Sequence, residues 1–232
     1  MTFLNAYWKN LILINYEIDP NILKPFVPEG TELDFFNGKC YVSVVGFMFM
    51  DTRVLGIKLP YHINFEEVNL RFYVQRHGER GVVFIKEIVP KPLITLVANS
   101  IYHEHYQTHQ MRHNFTEYDR YNTFEYCWKL NSKWQSIAVQ TDKVLLDIDE
   151  GSEAEFITEH YFGYTKYNTK TFEYEVVHPS WQQLKVNDYS INVDFEANYG
   201  TSFKTLHTAI PTSVIFAKGS EVSVKNKKTI HY

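Results

Sequence analysis

The clearest periodicity in the chain lies in residues 65–74, where Val68, Leu70, Phe72 and Val74 alternate with Glu67, Asn69, Arg71 and Tyr73. A period of two places the two sets on opposite faces of a β-strand. His77-Gly78-Glu79-Arg80-Gly81 reads as a turn, and the β-branched run at residues 82–88 as the returning strand. Residues 93–102 form a further apolar run, read as another strand. Residues 123–130 and 133–140 predict a hairpin around Asn131-Ser132. Residues 213–217 and 221–225 predict a second one around Gly219-Ser220, a glycine-first pair suited to a type II′ turn.

Helix signals are few. Asp19-Pro20 sets a cap acceptor before a proline at the first helical position, and Pro25 ends that helix within about two turns. Ser152 and Glu155 have the spacing of a capping box ahead of Phe156-Ile157. Many sequential strands with short connections predict a mainly β, mostly antiparallel fold, closed as a barrel or packed as a sandwich. No linker or repeat interrupts the pattern, so one domain over residues 1–232 is expected.

Composition changes this picture in one respect. The 232 residues include 17 Phe, 17 Tyr and 4 Trp, an aromatic share of 16%, which suits strand surfaces and a large core. A net charge of −4 is too mild to predict a nucleic-acid or membrane-surface partner, and 44% hydrophobic residues exclude a disordered chain. The longest early apolar run, Leu11-Ile12-Leu13-Ile14, is too short for a secretory core, and Cys40 and Cys127 read as two buried thiols. A cytoplasmic protein is expected.

Four segments carry residues of chemical interest. His103, His105, His109 and His113 are dense enough for a metal site on a helix or a strand. No motif fixes their spacing, however; the plainer reading is a polar, partly exposed segment, and no metal site is assigned. The row Glu67, Asn69, Arg71, Tyr73 is either a solvated face or, in a closed barrel, the lining of a cavity where a guanidinium clamps a carboxylate. His178-Pro179-Ser180-Trp181 is either a packed corner or a polar edge over an apolar floor. The acidic run beginning at Asp147 fails the calcium-loop pattern and reads as a turn into the capped helix.

The segments Asn15-Tyr16-x-Ile18-Asp19-Pro20-x-x-Leu23 and Phe26-Val27-Pro28-Glu29-Gly30-x-Glu32-Leu33-Asp34 resemble acetoacetate decarboxylase-like proteins. With Glu67-Val68-Asn69-Leu70-Arg71-x-Tyr73-Val74, Thr158-Glu159-His160-Tyr161-x-x-Tyr164-Thr165 and His178-Pro179-x-Trp181, the chain resembles the bacterial YqjF-like family within that superfamily. The resemblance spans roughly residues 7–185. It implies a closed antiparallel β-barrel with short helices and an interior cavity. The decarboxylases resembled use a lysine to form a Schiff base with a keto acid, aided by a second lysine; here that pair falls at about Tyr106 and Gln107, neither of which forms an imine. Lys9 falls about where the relatives place an active-site arginine, and Glu66 or Glu67 near their catalytic glutamate. Schiff-base decarboxylation is therefore not expected.

The expected function is a barrel cavity binding a small anionic or carbonyl-bearing molecule, with Lys9, Arg71, Tyr73, Tyr106, His178 and Trp181 as ligand-binding residues. Any catalysis would be acid–base, at Glu67, His103 or His105, with no cofactor. The alternative is a non-catalytic binding or assembly module. The expected partner is a small-molecule ligand, with no nucleic acid and no membrane; a homo-oligomer is left open.

Overall fold

The alternating segment becomes the middle of a long strand, and the rest of the sheet is assembled around it. The computed structural model describes residues 2–230, which are mainly β. Five strands come first: β1 (Thr2–Glu17), β2 (Glu32–Leu33), β3 (Tyr41–Val54), β4 (Phe65–Arg76) and β5 (Glu79–Val89). Then follow β6 (Tyr106–Thr108), β7 (Met111–Glu117), β8 (Asn122–Leu130) and β9 (Lys133–Asp147). The last five are β10 (Phe162–Tyr167), β11 (Lys170–Val177), β12 (Gln182–Asn192), β13 (Ser213–Lys225) and β14 (Lys228–Ile230). Four short helices intervene: α1 (Pro20–Leu23), α2 (Pro92–Val97), α3 (Glu153–Thr158) and α4 (Phe195–Tyr199). No helix among the described residues is long and apolar enough to cross a membrane.

Hydrogen-bonded neighbours run β10–β5–β4–β3–β1–β13, and β11 pairs both with β10 and, through Val176↔Val224 and Val177↔Ser223, with β13. These seven strands therefore share an unbroken circuit of pairings. From β13 a second wing continues through β12, β9, β8 and β7. The sheet departs from the antiparallel barrel expected from the sequence in that it is not wholly antiparallel. β10 joins β5 in parallel at Phe162↔Gly81 and Gly163↔Val82, and β6 also joins β5 in parallel. Parallel neighbours require a crossover; between β5 and β10 it carries the whole of β6–β9 and α3.

Most local signals hold. Asn131 and Ser132 take φ of 46° and 66°, the doubly left-handed pair of a tight hairpin between β8 and β9. Asp19 caps α1 by accepting from the Asn21 amide at 2.9 Å, and Ser152 caps α3 by accepting from Glu155 at 3.1 Å. Cys40 and Cys127 are buried free thiols.

Two expectations are corrected. Residues 93–102 are helical: α2 is followed by a π-helical turn at Ala98–Tyr102. Pro92 at the first helical position presets the backbone for a helix. Ile94, Val97 and Ala98 then fall at i, i+3 and i+4 and face one cavity, a helical rather than a strand periodicity. Residues 213–225 are one continuous strand, with no hairpin at Gly219-Ser220. Gly219 has φ +82° opposite Lys9, and a Cβ there would lie 2.0 Å from the Trp8 carbonyl oxygen. The glycine thus serves close strand approach rather than a turn.

The two faces of β4 divide the interior. Val68, Leu70, Phe72 and Val74 pack into an apolar core with Phe124, Tyr126, Trp128 and Ile137 of the second wing and with Phe195 and Phe203 around α4. Trp128 donates to the Asn198 side-chain oxygen at 2.8 Å, which satisfies the indole inside that core. The opposite face looks into a cavity.

Candidate functional site

Glu67, Asn69 and Arg71 of β4 all line this cavity, although they are only 2%, 2% and 7% exposed. The polar row is therefore the lining of a cavity and not a solvated face. Its remaining walls come from Trp8 of β1, Phe47 and Phe49 of β3, Glu87 of β5, α2, and Tyr174 of β11. The cavity holds about 120 Å³, comparable with an apolar cavity that admits a benzene-sized molecule.

Three carboxylates meet here. Glu67 accepts from the Asn69 side-chain amide at 2.9 Å and from the Tyr106 hydroxyl at 2.9 Å. Glu104, just after the left-handed residue His103, accepts from the Thr165 hydroxyl at 2.5 Å and the Tyr174 hydroxyl at 2.9 Å. Gly163 makes room for that phenol: a Cβ at 163 would lie 2.1 Å from the Tyr174 ring. Glu87 lies opposite Asn69 in the β4–β5 register. Among the described residues its Oε2 has no hydrogen-bond partner, and neither does Asn69 Oδ1.

Burial disfavours the charged form of all three acids. It pushes Glu67 up to about 7, against the opposing pull of the Asn69 and Tyr106 hydrogen bonds and of Arg71. It pushes Glu104 up to about 7 against hydrogen bonds from Thr165 and Tyr174. Glu87 is raised well above the carboxylate range by burial and by the neighbouring Glu104 and Glu67. A carboxyl group balanced near neutrality can both give and take a proton.

Arg71 supplies the positive end. Its Nη2 donates to the Ile157 carbonyl at 3.1 Å, while Nε is buried without a partner among the described residues. His160, buried nearby, sits 3.4 Å from Asp34, and burial outweighs that contact and pulls it down to about 4, so it is neutral. His178 stacks on Trp181 with centroids 4.3 Å apart and is shifted downward by burial; Trp181 donates to the Ser220 hydroxyl at 2.9 Å.

The structure thus brings together Glu67, Arg71, Tyr106, His178 and Trp181. Tyr73 is buried beside them but is tied to Ser43 at 2.7 Å and packed at a tilt against His160, off the lining. Lys9 is exposed and lies outside the cavity wall, as does His105; His103 stacks on Tyr167 with centroids 3.9 Å apart, also off the wall. The four clustered histidines do not converge. His109 contacts the Lys129 carbonyl at 2.9 Å, and His113 contacts Glu66 at 2.6 Å. Among the described residues no three His, Cys, Asp or Glu side chains are placed so that they could hold a metal ion.

Sequence reasoning missed Glu87, Glu104, Tyr174 and Trp8. Glu87 had a visible signal, as an acid inside a β-branched run. Glu104 was hidden among the histidines, because a residue following a left-handed turn cannot be assigned a face from periodicity.

The family model described as "Uncharacterized conserved protein (COG2071)", DUF2071, matches residues 5–221. The chain belongs to this family. Proteins similar to it include the uncharacterized protein YqjF of Bacillus subtilis (strain 168), 28% identical over 220 residues, which are 90% of this chain and 88% of YqjF. Among solved structures, acetoacetate decarboxylase from Legionella pneumophila superposes with a TM-score of 0.68 at 12% identity, over 98% of this chain and 87% of that one. The enduracididine biosynthesis enzyme MppR complexed with pyruvate gives 0.68 at 10% identity, over 99% and 91%. An acetoacetate decarboxylase-like enzyme from Sphingomonas wittichii RW1 gives 0.68 at 9%, over 100% and 94%. This DUF2071 chain therefore has the acetoacetate decarboxylase-like fold; at such identities the likeness extends to the fold alone.

Proposed function

We propose that the circuit of paired strands acts as a closed barrel whose cavity binds a small anionic or carbonyl-bearing molecule at Arg71. The Glu67–Tyr106 pair handles the proton in acid–base chemistry beside that carbonyl. The observation that carries this reading is the buried Arg71 guanidinium with its unpartnered Nε, in the same 120 Å³ cavity as Glu67. A buried guanidinium lacking a carboxylate partner is costly alone and gains two charge-assisted hydrogen bonds from a carboxylate ligand. MppR, of the same fold, has been captured with pyruvate, which makes pyruvate a sensible probe. Covalent catalysis through an imine fits poorly, because no lysine is found among the described residues of the lining; Lys86 instead donates to the Asn198 carbonyl on the other side of the sheet. The protein acts as one cytoplasmic domain without a cofactor.

The test is pyruvate binding by calorimetry and exchange of its methyl protons in heavy water by NMR. Arg71→Met should weaken binding by roughly tenfold or more with the melting temperature kept, as expected for loss of a charged hydrogen bond. Glu67→Gln should abolish the exchange while retaining binding. Pyruvate affinity unchanged in Arg71→Met overturns the binding assignment. Binding without exchange leaves the second reading, a non-catalytic binding or assembly module. That reading is favoured by the exposed run Val144, Leu145 and Leu146 on β9, at 68%, 36% and 46%.

A further inference from the structure

The cavity's unmet hydrogen-bonding capacity is of two kinds. Among the described residues, Arg71 Nε and Trp8 Nε1 are buried donors without acceptors, whereas Asn69 Oδ1 and Glu87 Oε2 are buried oxygens without a hydrogen-bond partner. Asn69 Nδ2 donates to Glu67 Oε1, which leaves Oδ1 as the unpartnered atom of that amide. Asn69 and Glu87 are cross-strand partners, both 2% exposed, so the two oxygens stand side by side on one wall. Acidic and basic side chains are as unequal: Glu67, Glu87 and Glu104 face a cavity in which Arg71 is the one lysine or arginine among the described lining residues. An anion alone would satisfy Arg71 and leave Asn69 Oδ1 and Glu87 Oε2 without a partner.

We infer that the ligand is bifunctional, with an anionic or carbonyl end on Arg71 and a cationic nitrogen, a primary ammonium or an amidinium, on Asn69 and Glu87. This rests on the reading of Arg71 given above and names the substrate class for that site. An ammonium offers three donors and no acceptor, which complements the two adjacent oxygens; its charge favours the ionised form of Glu87, so it binds as the buried carboxyl gives up its proton to solvent. The aromatic wall adds cation–π attraction, since Trp8, Tyr106 and Tyr174 line the same space. Asn69 and Arg71 are two residues apart on β4, roughly 7 Å along the strand, which an amino acid with its two charges separated by a few methylenes can span.

The experiment compares three matched probes by calorimetry on the intact protein: butanoate, butylammonium and γ-aminobutanoate. γ-Aminobutanoate should bind at least about tenfold more tightly than either monofunctional probe. Glu87→Gln, nearly isosteric, should remove most of that gain and weaken butylammonium by about tenfold, while butanoate stays within about twofold. A gain of less than tenfold for γ-aminobutanoate over butanoate overturns the inference, and this comparison needs only the wild-type protein should Glu87→Gln fail to fold. Equal losses for butanoate and butylammonium in Glu87→Gln also overturn it. Butanoate binding that depends on Arg71 without any ammonium gain defeats this inference and spares the reading beneath it; no binding of any probe at millimolar concentration defeats both.

Discussion

Along β4, Val68, Leu70, Phe72 and Val74 are sealed at 0% exposure, and Glu67, Asn69 and Arg71, one residue out of step, are sealed nearly as well at 2–7%. The two faces share a backbone, a register and a degree of burial, yet one meets hydrocarbon and the other meets carboxylates, amide and guanidinium. Burial alone therefore does not separate structure from function here. The separating quantity is satisfaction. The apolar face carries no polar side chain to satisfy, while the polar face holds Asn69 Oδ1 and Arg71 Nε buried without partners. A face that is dehydrated and still unsatisfied is kept against stability, and the ligand proposed at Arg71 would offset that cost.

The comparison breaks most sharply if the faces respond alike to truncation. Phe72→Ala on the apolar face should cost about 3–5 kcal/mol in urea unfolding, from lost burial plus the cavity left behind. Its effect on pyruvate affinity should be small, because Phe72 faces away from the cavity. A loss below about 1 kcal/mol would mean that the apolar face is not the one that holds the sheet together.

The polar face should behave in the opposite sense, and pH reveals it. Glu67 and Glu104 titrate at about 7 in the folded chain against an ordinary 4.5, and Glu87 is raised as well. The folded state then binds more protons than the unfolded one from 4.5 upward. Stability from these groups is present at low pH and is lost as pH rises through about 7. His160 opposes this: held at about 4 against 6.5, it makes stability rise with pH between those values and acts no further above. Unfolding free energy should therefore fall between pH 6.5 and 8, where the carboxylates act alone. Glu87→Gln should flatten that fall and leave the variant more stable than wild type at pH 8, by about 1 kcal/mol or more. An unchanged slope, measured by urea unfolding across that range, would mean that Glu87 is not held protonated.

How far these contrasts were legible in the sequence follows from the same residues. The β4 alternation showed two faces and which side chains share each, since a period of two depends only on backbone geometry. Which face turned inward was not visible, because that depends on the second wing covering Val68 and its neighbours, far away in sequence. The Asn131-Ser132 hairpin and the Asp19 and Ser152 caps were readable, being local. The helix at residues 92–97 was missed because β-branched Ile94, Thr95 and Val97 suit a strand, and only packing against the cavity decided otherwise. Glu87 and Glu104 reach Glu67 through strand pairing and a left-handed turn, neither of which composition or spacing reports.

The smallest expected effect tests the boundary of the polar region. His103 and His105 flank Glu104, and sequence proximity alone would enlist them with Glu67. The chain reverses their direction instead: His103 adopts φ +59°, which turns its ring onto Tyr167 and Phe172, and His105 points to solvent while its carbonyl accepts from the Glu87 amide at 3.2 Å. The contact that matters at this segment is then made by backbone, which a side-chain truncation leaves in place. His105→Ala should change pyruvate affinity and proton exchange by less than about twofold, within the range of a surface substitution. His103→Ala should act only through lost stacking, lowering stability by about 1 kcal/mol with affinity kept. A tenfold loss of exchange in either variant, with binding intact, would extend the polar face of the sheet past Glu104 and make the histidines part of the proposed proton path.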